Sequence, residues 1–404
     1  MTPSPTPRVV LHIGLHKTGT TYLQGVLRAN RERLAVQGVD FPGGPKGPQH
    51  TFAVYDLFGR RPRGTGDDRI AGQWQAMTRA LTGSALPVRL LSEEALSLAT
   101  PAQVRKAVRA LAGTDVHVVA TVRDLGRVAV SAWQEDVKTD ETWTWREYAD
   151  ALADPAARGK APARGFWLRQ DVPAVLASWA AEVGVERVHV VTVPPAGVDP
   201  ASLLARFGEA VGFDPATLTE PARWENHSVG VAGTEVLRRM NELLHRRLNQ
   251  RQYHDVVETT LAPILAGADG SSLVLPPQDR DWVEREADRM IEALRTVGYP
   301  LYGSLEELRP ASGSVAGRVP GSAPEPELLT VAVAALAGLT EAQALARWNR
   351  RRPAAAAASA PAPARAGSAV RSAWFRCKQG AVGLADRQPL AERALRGYLA
   401  RRRS

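Results

Sequence analysis

The chain has 404 residues, 44% of them hydrophobic, and a single cysteine, Cys377; it is long enough to bury a sizeable core, and one thiol excludes an intramolecular disulfide framework. The formal charge of +9 is uneven: fourteen Lys/Arg and three Asp/Glu fall from Glu341 onward, so this end carries +11 and the preceding 340 residues −2. A near-neutral body without a basic stripe excludes nucleic acid as the expected partner.

The start, MTPSPTPR, lacks the apolar core of a signal peptide, and no run of ~18 uncharged apolar residues follows, so a soluble, cytoplasmic chain without a transmembrane segment is expected. Order begins at Val9. Val9, Val10, Leu11 and Ile13 form the short apolar run of a strand buried on both faces. Leu23, Val26, Leu27 and Leu34 then fall on one helical face. Between them lies Gly14 to Thr21, GLHKTGTT. A helix N-terminus presents unpaired N–H groups and the positive end of its dipole, which makes this strand–loop–helix an anion cradle. Gly14 and Gly19 allow close backbone approach, Lys17 adds a mobile charge, and Thr18, Thr20 and Thr21 add hydroxyls. The usual triphosphate loop places lysine after its second glycine. Here Lys17 precedes Gly19.

Val88 to Leu91 predict a second strand, ending in Ser92-Glu93-Glu94, which reads equally as a helix cap with first-turn acids. VHVVATVR, Val116 to Arg123, predicts another strand, and Asp124 caps the helical pattern LGRVAVSAWQEDVK. Arg123 thus stands at a strand's carboxyl end, where open α/β sheets bind ligands, with Ser131 about two turns into the next helix. RVHVVTV, Arg187 to Val193, gives a fourth strand after a helix containing Val175, Leu176 and Trp179. This alternation predicts an α/β fold, a doubly wound and mainly parallel sheet with helices on both faces. Helical patterns follow over Val236 to Leu248 and Trp282 to Leu294, then GYPLYGSLEELRP. Beyond it, PAAAAASAPAPARAGS reads as a linker and Ala369 to Arg403 as basic amphipathic helices, either solvated or in contact with an anionic membrane or acidic partner. The expected division is a domain over 1–310 and a linker with tail over 311–404.

The string HIGLHKTGTTYLQ resembles the 5′-phosphosulfate loop of sulfotransferases that use 3′-phosphoadenosine 5′-phosphosulfate, in their bacterial branch. R-D-x-x-x-x-x-x-S, Arg123 to Ser131, resembles their 3′-phosphate site, Ser92-Glu93 the end of their second strand, and GYPLYGSLEELRP their closing segment. The resemblance spans Arg8 to Arg309. It implies a P-loop-type fold and transfer of sulfonate to an acceptor hydroxyl on a carbohydrate, lipid or secondary metabolite, leaving adenosine 3′,5′-bisphosphate. It implies donor binding by Gly14, Lys17, Thr18, Gly19, Thr20, Thr21, Arg123 and Ser131, with Lys17 on the leaving oxygen and no metal required. The Arg-Lys-Gly triplet of cytosolic members is missing, which leaves part of the 3′-phosphate site unassigned; Asn226 and Ser228 are the nearby polar residues.

Family members use a His or Glu some tens of residues after the loop lysine as base. His50, 33 positions beyond Lys17, leads; Glu93 comes second and Asp40 third. His12 and His16 read as structural. For the acceptor, the mobile-looking stretch Arg60 to Arg69 and the tryptophans Trp143, Trp145 and Trp167 are open to either ligand contact or, respectively, solvent and core. Two other classes stay in play: a P-loop small-molecule or nucleoside kinase, disfavoured by the lysine's place and the lack of an evident magnesium carboxylate at a strand end, and a non-catalytic nucleotide-binding module.

Overall fold

The computed structural model describes residues 6–44, 47–60, 69–221, 228–244, 247–269, 271–311 and 316–358, with side chains as far as Trp348. Its centre is a six-stranded sheet of β1 (Arg8–His12), β2 (Val39–Asp40), β3 (Val88–Ser92), β4 (Asp115–Val122), β5 (Val188–Thr192) and β6 (Leu301–Tyr302). The order is β2-β3-β1-β4-β5-β6, and every pairing is parallel. All six carboxyl ends therefore lie along one edge. The α/β parallel architecture expected from the sequence is the one observed; β2 and β6, of two residues each, are too short to show a period and extend the sheet at its two margins.

Helices cover both faces, as a sheet whose strands are apolar throughout requires. Val10, Leu90, Val119 and Val191 turn to one face and pack with Leu23, Leu27 and Phe207. On the other, Val9 and Leu11 are equally inaccessible to water. Asp124 caps the helix Leu125–Lys138, its carboxylate accepting from the Arg127 amide at 2.8 Å.

Two compact units divide the chain, Met1–Leu336 and Ala337–Ser404. The helix Glu325–Ala358 runs through that division, so it takes in the first residues of the Ala/Pro-rich stretch. One helical span among the described residues, Glu325–Trp348, is long and apolar enough to cross a membrane by length and composition, with mean hydropathy 1.6. The sequence reading expects no such span; the uncharged run inside it, Leu328 to Thr340, is bounded by Glu327 and Glu341. The basic helices expected over Ala369 to Arg403 lie outside the described residues.

Three buried histidines make the fold acid-sensitive. Burial pushes His12 down to about 3 and His50 to about 4; burial, then the Arg8 guanidinium and His117, push His189 to about 4. Each ring is neutral in the fold and protonates near 6.5 once unfolded, so the stabilisation is complete above about pH 6.5 and is lost as pH falls toward 4, at ~1.4 kcal/mol per unit of depression. Thermal unfolding across this window should show a midpoint falling steeply below pH 6.5, with a shallower fall in His189→Gln.

Candidate functional site

The loop after β1 turns on three residues with positive φ: Gly14 at 53°, Lys17 at 68° and Gly19 at 84°. At Gly14 a Cβ would sit 2.6 Å from the Thr20 hydroxyl and 3.1 Å from the Glu94 Cβ, so only glycine fits. Lys17 has no such freedom, and a left-handed conformation at a non-glycine residue costs ~1–3 kcal/mol. What holds it is a brace beneath the loop. The Thr18 hydroxyl donates to the Leu15 carbonyl at 2.5 Å and lies 2.8 Å from Thr121 Oγ1 on β4. Thr18, expected to offer its hydroxyl to a ligand, is buried, with that hydroxyl engaged inside the loop and with β4.

Thr20 opens the helix Thr20–Ala29 after Gly19, with no side chain capping it. The Thr20 hydroxyl is buried with the Glu94 carboxyl as its neighbour, and Thr21 is exposed. The cradle thus keeps its helix amides, Thr20, Thr21 and Lys17. Lys17 Nζ donates to Glu135 Oε2 at 3.1 Å, and Lys138 Nζ reaches the same oxygen at 2.7 Å. These two cations, which outweigh its burial, hold the Glu135 carboxyl down to about 2.

Arg123, one residue past β4, donates from Nη1 to the Lys17 carbonyl at 3.1 Å. Its Nε is buried and unpartnered. Among the described residues no carboxylate comes within 4.0 Å of its guanidinium, and burial, then Arg127, lower its pKa to about 10. Lys17, Arg123 and Ser131 line one cavity of about 730 Å³ with Arg127, Lys138 and Gln134. Ser228, also on its wall, donates to Gln134 Oε1 at 3.2 Å. Asn226 lies outside the described residues, as does the Arg60 to Arg69 stretch over 61–68. The far wall is apolar, Val274 to Pro277, and includes Ala316, Gly317 and Val319. These last three lie beyond the boundary expected at residue 310, and the compact unit that contains them runs to Leu336.

His50, the lead candidate for a base, has both ring nitrogens engaged. His50 Nδ1 accepts from the Ser92 amide at 3.0 Å, which fixes the proton on Nε2, and Nε2 donates to the Pro42 carbonyl at 2.7 Å. Both nitrogens are consumed by backbone groups, and His50 ties the loop before it to the end of β3. Glu93 is likewise engaged: Oε2 accepts from Thr51 at 2.6 Å and Oε1 from the Ala95 amide at 3.4 Å, capping the 3₁₀ turn Glu94–Leu98. Asp40 stands on the outermost strand. His12 bridges Ser92 and Thr121, and His16, pushed to about 4 mainly by burial, gives its carbonyl to Gln170. The His12 ring is thus tied to both neighbouring strands, whereas the His16 ring keeps a buried Nδ1 without a hydrogen-bond partner. Trp145 and Trp167 are core residues, and the Trp143 carbonyl accepts from Trp133.

The residue missed is Glu94. It is half-buried, and burial with the Glu93 and Glu135 charges pushes its carboxyl up to about 7, against the pull of Lys17 and a hydrogen bond from Thr20. Its only signal in the sequence is the doubled acid after β3.

His50→Ala leaves the Ser92 amide and the Pro42 carbonyl without their buried partner. Chemical denaturation is expected to show a loss of ~1–3 kcal/mol, with His50→Gln closer to the wild type because an amide can restore one bond.

No family model and no curated protein matches the chain. Among solved structures, the sulfotransferase from Alicyclobacillus acidocaldarius is similar to it at 20% identity and a TM-score of 0.34, over 59% of this chain and 96% of that one. So loose a likeness leaves the functional reading to this chain's own residues.

Proposed function

We propose that the chain is a sulfotransferase that moves sulfonate from 3′-phosphoadenosine 5′-phosphosulfate to an acceptor hydroxyl and releases adenosine 3′,5′-bisphosphate. The observation that carries this is Arg123. A half-buried guanidinium with an orphaned Nε and no carboxylate partner is costly unless an anion completes it. Lys17, from the loop, lines the same cavity, which supports a ligand gripped as an anion at two points. A nucleotide charged at both its 5′ and 3′ positions fits that arrangement, and the order of Lys17 and Gly19 departs from the triphosphate loop.

On this reading the helix amides at the loop, Thr20 and Thr21 receive the 5′-phosphosulfate, while Arg123 and Ser131 hold the 3′-phosphate, the guanidinium gripping two oxygens at once. The apolar wall Val274 to Pro277 offers a dry surface to a purine. The cavity has the size that small-molecule sites require. Sulfonate transfer leaves negative charge on the 5′-phosphate oxygen. Lys17 is the mobile cation positioned for it, released from Glu135 when the more highly charged ligand arrives. Acceptors of the carbohydrate, lipid or secondary-metabolite classes all present the required hydroxyl.

Ligand-induced stabilisation tests the donor class. Adenosine 3′,5′-bisphosphate should raise the thermal midpoint, by an amount equivalent to ~2.7 kcal/mol at a hundredfold excess over Kd, and ATP with magnesium should not. The opposite preference rejects the reading in favour of a kinase. Lys17→Ala is expected to lower donor turnover ~10²–10³-fold, and Arg123→Ala to weaken bisphosphate binding ~10–100-fold. Isothermal titration of the second variant with unchanged affinity removes Arg123 from the site.

A further inference from the structure

The sulfotransferase reading needs a group that takes the acceptor's proton, and the inference drawn next rests on that reading. In the order β2-β3-β1-β4 the loop after β1 stands between the carboxyl ends of β3 and β4. Arg123 closes β4 on one side and lines the nucleotide cavity. Glu94 follows β3 on the other side and opens the turn Glu94–Leu98. Its Cβ is packed against the loop's first glycine, 3.1 Å from where a Cβ on Gly14 would stand. Four groups act on its carboxyl: Glu93 from its own turn, Lys17 from the loop and Glu135 from the helix Leu125–Lys138 through their charges, and Thr20, at the start of the helix Thr20–Ala29, through a hydrogen bond. Lys17 belongs to both sides, lining the cavity and acting on the Glu94 charge.

The neighbours of Glu94 are already employed. His50 has no nitrogen to spare, Glu93 gives both oxygens to Thr51 and Ala95, and Glu135 is tied to Lys17 and Lys138. We propose that Glu94 is the general base of the transfer, and that the acceptor enters over the carboxyl end of β3, across the loop from the nucleotide. The acceptor O–H bond breaks toward a Glu94 oxygen, and its electron pair forms the new O–S bond. The S–O bond to the 5′-phosphate breaks with its pair remaining on the phosphate oxygen, opposite Lys17. The proton on Glu94 then passes to solvent, so sulfonate and one proton are the net transfers. A carboxyl raised to about 7 by burial and two like charges is a stronger base than an ordinary glutamate and is still half ionised at neutral pH.

The test uses the full chain, the donor, and two kinds of probe acceptor: water, and a phenol series from acidic 4-nitrophenol to unsubstituted phenol. For Glu94→Gln, bisphosphate stabilisation should match the wild type while turnover falls ~10²–10³-fold. The loss should grow along the series toward unsubstituted phenol, because 4-nitrophenol ionises near neutral pH and needs the base least. The wild-type rate should rise with pH through about 7, that limb should vanish in Glu94→Gln, and Glu94→Asp should recover part of both rate and limb. Near-wild-type turnover in Glu94→Gln, or an equal loss with every phenol, overturns the assignment while leaving the sulfotransferase reading intact. A wild-type chain that fails to turn over the donor, whether or not the bisphosphate stabilises it, overturns the sulfotransferase reading and the assignment with it.

Discussion

The loop that carries Lys17 is fastened to the sheet through Thr121, and the site depends on that attachment. Thr121 is fully buried on β4, where it meets the Thr18 hydroxyl at 2.8 Å and His12 Nε2 at 3.3 Å. His12 Nδ1 continues to Ser92 Oγ on β3 at 2.8 Å, and Gln24 from the following helix donates to the Ser92 carbonyl at 3.0 Å. One polar chain therefore crosses β3, β1 and β4 and ends inside the loop. A buried network with its members paired specifies a single arrangement, because slipping any strand would strand a polar group in a dry core. That specificity sustains the left-handed Lys17, whose strain would otherwise relax by flattening the loop. It also explains why a histidine sits in the middle of an apolar strand: the neutral ring, held neutral by burial, spans two strands at once.

Parallel topology then distributes the chemistry. Each strand delivers its next residue to the same edge, so Gly14, Glu93 with Glu94, and Arg123 converge although they are separated by some 110 positions in the chain. The loop, Arg123 and Ser131 were legible in the sequence because each belongs to a contiguous strand–loop–helix pattern, where a residue's place follows from its neighbours. The fates of His50 and Thr18 were not, because their hydrogen-bond partners depend on register: His50 answers to Ser92, 42 residues on, and Thr18 to Thr121, 103 residues on. Glu93 and Glu94 differ by one position and by nothing in composition. What separates them is backbone: Glu93 is extended and folds its carboxylate onto the turn it caps, whereas Glu94 begins that turn and stands against Gly14.

The helix Glu325–Ala358 marks another limit of periodicity. Leu328, Val331 and Ala335 are buried, while Leu329, Val333 and Leu336 are between 57% and 66% exposed. An apolar residue on both the packed and the open side gives no amphipathic stripe, so helical spacing cannot point to the side that packs. Charge is more informative there. From Glu341, inside this helix, to its end the chain carries +11, and the 340 residues before that point carry −2. The +9 of the whole chain is thus a property of its end and has no bearing on the anion site.

At that site the charges are local and nearly balanced, which is what makes an anion cradle tolerable before its ligand arrives. Lys17, Lys138, Arg123, Arg127 and Arg280 line one cavity, Arg280 paired with Glu284, and so many like charges in a partly dry cleft would repel strongly. Glu135 answers both lysines, and its depressed pKa keeps it ionised at any working pH. Asp124 answers Arg127 at 3.5 Å while capping the helix that brings Ser131. Arg123 has, among the described residues, no carboxylate within 4.0 Å and the Lys17 carbonyl on its Nη1, and burial, then Arg127, lower its pKa. The imbalance selects among ligands. A neutral molecule gains nothing from it, and a single carboxylate would duplicate what Glu135 already does for Lys17. An anion with two separated charged groups can relieve Arg123 with one and displace Glu135 from Lys17 with the other, and only such a ligand draws on both halves of the site at once.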